Sequence, residues 1–328
     1  MSAVAAAGVV GSDRPAIRID RRFGAAAANV VKNWKWPLAC AAAVGLIDMI
    51  WARAAGLTFG GLAEALLSIA AFLVIGAAWQ ATGAVLGERA GAPRWVLRLE
   101  QLGIGMTYFG TWCAVALAVA VYSYLCGRVG LPFRDAAFAD FDRQLGFDWM
   151  RWAATVAAHP WLKAALSYSY HSHVWQAVAV FFVAAFSGDP RRPVECFWIV
   201  AVSALAACTI SILVPAIGAT VHFGAGTSNW VADVTLLRLP APAAFELNQL
   251  KGIVSMPSFH TMLGVCFIWS SRRTGIVGLG FVALNLAMIV STVSEGGHYL
   301  VDVLAGLALA VVVIAAVNRL IYRDFKPA

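Results

Sequence analysis

The feature that most constrains this chain is a succession of long apolar runs, at about 37–55, 61–86, 101–126, 162–186, 194–217, 256–271, 275–294 and 298–321. A helix rises about 1.5 Å per residue and the hydrocarbon core of a bilayer is roughly 30 Å thick, so most of these runs are long enough to span it. Inside lipid every backbone N–H and C=O must be paired within its own segment, which makes runs of this length helices. Composition agrees: 61% of the 328 residues are hydrophobic and only 12% are charged. A soluble domain carries about twice that charged fraction. The expectation is an all-α fold, a polytopic membrane bundle of about eight transmembrane helices. The run at 256–271 is short, and it counts as a span because a polar start suits a water-filled pocket rather than lipid.

Charge then orients the bundle. Eight spans put both termini on one side, with the tail residues Arg14, Arg18, Arg21, Arg22, Lys32 and Lys35 and the loops around Arg94, Arg191 and Arg272. That side holds two-thirds of the 24 lysines and arginines, which places the termini in the cytoplasm and the opposite loops in the periplasm or exterior, with a bacterial inner membrane as the setting. The net charge of +7 therefore reflects topology, and nucleic acid is not an expected partner. The six cysteines stand singly without metal or redox spacing and read as small buried hydrophobes. No basic n-region precedes the weak apolar run of the first dozen residues, so a cleaved signal peptide is not expected. Residues 1–34 read as a basic cytoplasmic tail, and 35–328 as a single membrane domain.

The chemistry concentrates in two stretches at the edges of apolar runs, Met256-Pro257-Ser258-Phe259-His260 and Ser291 through Asp302. His298 and Asp302 stand four apart, so on a helix they share a face and can hydrogen-bond. An acid accepting from one imidazole nitrogen leaves the other free as a nucleophile or base. Pro257 and Ser258 read as the start of a helix, whose N–H groups and positive dipole end suit phosphate. Two histidines, one oriented by an acid, beside such a start point to phosphoryl transfer through a phosphohistidine.

Pro257-Ser258-x-His260 followed by Ser291-x6-His298-x3-Asp302 resembles the type 2 phosphatidic acid phosphatase superfamily. Phe259 in place of the usual glycine and Thr292 in place of the usual arginine look closer to its inositol phosphorylceramide synthase branch. Asp140-Phe141-Asp142-Arg143, Tyr168 to His173, Arg192-Pro193 and Val214-Pro215-Ala216 fall where that branch has similar features. The likeness covers about 100–321 and implies a six-helix core.

It also implies roles. His298 is the expected nucleophile, Asp302 its orienting partner and His260 the general acid on the leaving oxygen. Ser258 and Ser291 are expected to contact phosphate, though either residue type also caps helices or packs. The superfamily's lysine and arginines are missing: Thr292 replaces one, and Arg192-Pro193 has Ala185 where the lysine belongs and falls on the cytoplasmic side. Lys251 and Arg238 are the substitutes on the correct side, with Thr292 beside them at the phosphate. Tyr168, Tyr170, His171 and His173, on the outer side of the run at 162–186, either line the pocket or anchor at the interface, and Tyr168 and His171 share a face. Neither a metal nor a cofactor is expected.

Residues 127–161, with Trp149, Trp152 and Trp161 among charges, lie either in the headgroup layer or against the helix ends. The long segment 218–255 reads as a lid or an acceptor-binding element. The expected substrate is a membrane lipid carrying a phosphate ester. A second alcohol such as inositol as acceptor makes the protein a head-group transferase; water makes it a lipid phosphatase. A non-catalytic transporter or scaffold is the third reading.

Overall fold

The structure, a computed structural model, describes residues 34–87, 93–226 and 228–324. The expected tail at 1–34 therefore lies almost wholly outside the described residues. The all-α expectation holds. Among the described residues thirteen α-helices run in order: α1 Lys35–Ala55, α2 Leu62–Gly87, α3 Arg94–Arg128, α4 Asp135–Gln144, α5 Trp149–Ala158, α6 Pro160–His171, α7 His173–Ala185, α8 Arg191–Leu213, α9 Ala219–His222, α10 Val231–Arg238, α11 Phe259–Ser270, α12 Ile276–Ser291 and α13 Leu300–Asp324. Five of them (α1, α2, α3, α8 and α13) are long and apolar enough to cross a membrane, while α7, α11 and α12 are apolar but only 13, 12 and 16 residues long. Leu67, Val74, Leu279 and Val311 point outward from such helices, as lipid-facing side chains do.

Two local departures follow from side-chain chemistry that periodicity does not show. The run at 162–186 is not one helix but breaks at Ser172 between α6 and α7. Ser172 donates to the Ser169 carbonyl at 2.6 Å and accepts from Gln176 at 2.7 Å, and Gln176 in turn accepts from Asn285 of α12 at 2.7 Å. This buried polar ladder pairs groups that lipid would leave unsatisfied and fixes α7 against α12. The second departure is a two-stranded parallel pair, β1 Leu57–Gly60 and β2 Ala243–Glu246, with Leu57 opposite Ala243 and Gly60 opposite Glu246. It ties the α1–α2 turn to the long segment 218–255.

The main core lies among α3, α7, α8, α11, α12 and α13, around Tyr108, Val115, Phe181, Phe197, Phe267, Met288 and Ile314. A smaller core of Ala139, Trp149, Ala216, Ala219, Val293, Tyr299 and Val303 joins α4 and α5 to the start of α13. The segment 127–161 thus packs against the helix ends. Helix α2 docks on α3 through small residues. A Cβ on Gly103 would meet the Gln80 nitrogen at 2.6 Å and the Gly76 carbonyl at 2.7 Å, and the Gln80 amide donates to Thr107 at 2.6 Å. Close backbone approach with a polar clasp is how helices associate where lipid removes the hydrophobic drive.

Gly103→Ala is therefore expected to push α2 off α3 and cost about 1–3 kcal/mol, read as a lower thermal midpoint in detergent. Gly45→Ala in α1, where a Cβ would meet nothing within 4 Å, should leave the midpoint unchanged or raise it.

Candidate active site

Helix α13 begins with a problem of its own making. Its first N–H groups have no intrahelical acceptor, and the residue before it, Tyr299, has no short side-chain acceptor to cap them. Two acids solve this. Asp142 of α4, distant in sequence, accepts from Leu300 N–H at 2.7 Å and Val301 N–H at 2.9 Å. Asp302, in the first turn, reaches back to the Tyr299 N–H at 3.1 Å. Both carboxylates also complement the positive end of the helix dipole. Burial pushes the Asp142 carboxyl above the usual carboxylate range, the two N–H groups pull it back, and the charge of Asp302 adds to the rise.

The same Asp302 Oδ2 holds His298 Nδ1 at 3.3 Å and accepts from the Ser255 hydroxyl at 2.9 Å. His298 is therefore not on the helix face that a spacing of four suggested; it sits in the loop just before α13. The pairing survives because the loop is pinned. The His298 N–H donates to the Thr292 carbonyl at 3.2 Å, and the Trp149 indole donates to the carbonyls of Val293 and His298, each at 3.2 Å. Gly297, at φ 65°, offers its carbonyl to the Ala219 N–H at 2.7 Å. Asp135 of α4 accepts from Ile217 and Gly218 N–H, both at 3.0 Å, and from the Tyr299 hydroxyl at 2.9 Å. Since a carboxylate only accepts, His298 carries its proton on Nδ1 and presents Nε2 as the lone-pair nitrogen. Nε2 lies beside Gly296, where a Cβ would approach to 3.2 Å.

Gly296 and His298 line a cavity of about 240 Å³ together with Tyr170, Lys251, Ser255 and His260. Most of the remaining lining is apolar, including Trp112, Ala116, Val119 and Ala120 of α3 and Ala204, Ala207 and Cys208 of α8, with Ser123 of α3 a further hydroxyl. His260 lies in the first turn of α11, behind Ser258 as N-cap, and the Ser258 N–H donates to the Asp302 carbonyl at 3.0 Å. The two motifs of the sequence thus meet on one residue, Asp302. Against the His260 ring, Tyr170 stacks at 4.5 Å between centroids and His173 stands edge-on at 4.6 Å.

Other sequence candidates fall elsewhere. Ser258 accepts from the Thr261 N–H and hydroxyl, and it is fully buried as a cap. Ser291 and Thr292, both buried, donate to the Met288 and Ile289 carbonyls of their own helix. Arg238 is spent on the Leu131 carbonyl, at 2.8 Å, and on the face of Phe133. Tyr168 is 66% exposed and His171 is turned onto the Ser167 carbonyl, so the pocket residues of this segment are Tyr170 and, behind His260, His173. Arg192 donates to the Arg272 carbonyl just beyond the C-terminal end of α11, the end opposite His260. Lys251 is the one Lys or Arg among the described lining residues. Among the described residues, no group of three His, Cys, Asp or Glu is placed to hold a metal.

The sequence does not single out Ser255, Asp135 or Asp142 as functional residues, whereas Tyr170 and His173 belong to the group expected near the pocket. Asp142 did carry a signal, as an acid in the Asp140-Phe141-Asp142-Arg143 stretch, but no spacing rule links it to α13.

A family model described as the PAP2 superfamily matches residues 136–316, more than half of the chain. Neither a curated protein nor a solved structure matches it.

Two outcomes are expected. Gly296→Ala places a methyl against His298 Nε2 and Cδ2 and should lower kcat by about a hundredfold or more in a steady-state assay, the cost of misplacing a reacting group by about an ångström. Asp142→Asn keeps one acceptor oxygen but leaves a buried N–H of α13 unpaired. It should cost about 1–3 kcal/mol in detergent unfolding and lower activity with it.

Proposed function

We propose, on the premise that this chain belongs to the PAP2 superfamily and is an integral membrane enzyme of phosphatase or phosphotransferase type acting on lipid phosphate, that it transfers a phosphate-linked head group from a lipid donor to an alcohol acceptor through a phosphohistidine. The observation that carries this reading is that His298, held by Asp302, lines one cavity with His260 and Lys251, and that most of the remaining lining is apolar. The apolar walls suit the lipid and the polar end suits its phosphate.

His298 Nε2 attacks phosphorus, and the bond from phosphorus to the lipid oxygen breaks. His260 delivers a proton to that oxygen, so a neutral lipid alcohol leaves. The hydroxyl of the acceptor then attacks the phosphohistidine, His260 takes its proton, and the bond to Nε2 breaks to restore His298. Asp302 stabilises the imidazole as it gains positive charge. Lys251 offsets charge on the phosphate oxygens. Arg238 is not proposed here, because its guanidinium is committed to Leu131 and Phe133. The basic residues at the opposite end favour cytoplasmic termini and a site facing the periplasm or exterior.

Charge supports transfer over simple phosphatase action. A phosphate monoester carries about −1.5 to −2 at neutral pH, whereas a phosphodiester carries a single charge. The described cavity lining supplies one Lys or Arg, already partnered by Asp233 at 3.3 Å, which matches a monoanionic diester better. A polar alcohol such as inositol is the proposed acceptor.

The test uses purified protein and a phospholipid donor radiolabelled in its head-group phosphate. Early quenching should trap acid-labile, base-stable label on the wild type and none on His298→Ala. Added inositol should divert label into a phosphodiester that joins the head group to inositol. Release of the head-group phosphate by water that inositol leaves unchanged, or of free phosphate from a phosphate-monoester lipid, would instead make the protein a phosphatase. Absence of both label and turnover across several lipid phosphates would defeat the catalytic reading.

A further inference from the structure

A lysine side chain loses substantial rotamer freedom when it is held in one place, so a lysine that must meet a phosphate benefits from being ordered beforehand. Lys251 is held at both ends. Its ammonium lies 3.4 and 3.3 Å from the two carboxylate oxygens of Asp233, and its backbone N–H donates to the hydroxyl oxygen of Tyr124 at 3.1 Å. Tyr124 in turn donates its hydroxyl hydrogen to Asp233 Oδ2 at 2.5 Å. One closed ring of hydrogen bonds therefore joins the acid, the tyrosine and both ends of the lysine.

The ring rests on rigid supports. Tyr124 is fully buried in α3, with the rings of Phe245 and Phe59 at 4.9 and 6.3 Å. Asp233 belongs to α10, whose C-terminal carbonyls at Leu237 and Leu239, with that of Ala241, accept from the guanidinium of Arg128 at the end of α3. The contacts between Lys251 and Asp233 are longer than the roughly 2.7–2.9 Å of a tight charge-assisted hydrogen bond. An ammonium has three donors, so this loose contact restrains the side chain and leaves capacity for a phosphate oxygen. The lysine opens onto the same cavity as His260 and His298.

We propose that Asp233 and Tyr124 are positioning residues that hold Lys251 at the mouth of the catalytic cavity, where it meets the phosphate of the lipid substrate. This rests on the phosphoryl-transfer reading of the site. Asp233 and Tyr124 touch no reacting atom; they act through the lysine.

The experiment is a double-mutant cycle on the full chain in detergent. Asp233→Asn and Tyr124→Phe should each lower kcat about tenfold, with KM changed less than about twofold, and Lys251→Arg should retain more activity than Lys251→Ala. In the Lys251→Ala background neither substitution should add a further loss, because the group they position is gone. Losses that multiply in that background, or a kcat that neither change moves, overturn the proposal. If Asp233→Asn does not accumulate folded, Tyr124→Phe carries the cycle alone, since it removes only a hydroxyl.

A second readout needs no turnover. Acylation of the Lys251 amine, followed by mass spectrometry, should be slowed by orthovanadate as a phosphate mimic in the wild type, and this protection should be lost in Asp233→Asn and Tyr124→Phe. No protection in the wild type overturns the tether. Protection in a protein that turns over no lipid phosphate leaves the tether standing and removes the catalytic reading.

Discussion

The arrangement of this site depends on how one buried carboxylate is satisfied. Asp302 is fully buried, and removing a charge from water is costly unless hydrogen bonds replace the lost hydration. Its Oδ2 takes the His298 imidazole, the Ser255 hydroxyl and the Tyr299 N–H, while its backbone carbonyl takes the Ser258 N–H. Each of those partners belongs to a different functional piece: the loop before α13, the loop before α11, the start of α13 and the N-cap of α11. Pairing Oδ2 and the backbone carbonyl of Asp302 therefore assembles the two histidine motifs, while Oδ1 is buried without a partner among the described residues. The requirement that makes Asp302 expensive to bury also makes its surroundings specific.

Around that acid the outer segments act as braces. Helix α4 contributes Asp142 to the start of α13 and Asp135 to the 217–218 loop and Tyr299, and α5 contributes the Trp149 indole to the carbonyl of His298. These are charge-assisted or buried hydrogen bonds from two neighbouring helices to the segment that carries His298, and such supports decide how closely a side chain is held in place. The glycines complete the arrangement. Gly296 leaves room beside Nε2, and Gly297 adopts the positive φ that turns its carbonyl toward Ala219.

Helix packing explains the division of labour between the two ends of the bundle. At the end away from the site, Arg272 pairs with the buried Glu195, which also accepts from the Trp269 indole at 2.6 Å, and Arg192 holds the Arg272 carbonyl. Cations there are used to close the bundle. The cavity that holds His260 and His298 is lined mainly by apolar side chains, and Lys251 is the one Lys or Arg among its described lining residues, in a medium where charge is poorly screened.

The sequence by itself determined the membrane class, the all-α fold, the pairing of His298 with Asp302 and the place of His260 at the start of a helix. These rest on local facts: the length of apolar runs, the spacing of two residues, the chemistry of Pro-Ser before a helix. Tertiary structure alone decided which groups complete the site. Asp142 meets Leu300 across 158 residues of chain, Ser255 meets Asp302 across 47, and Lys251 meets Asp233 only because α3 and α10 are fastened together. The place of Tyr170 and His173 beside His260, with α7 tied to α12 by the Gln176–Asn285 hydrogen bond, is likewise set only by the tertiary packing. Hydrogen bonds between distant segments have no period in the sequence. Their partners are set by which polar groups each helix end leaves unpaired once the apolar faces have packed.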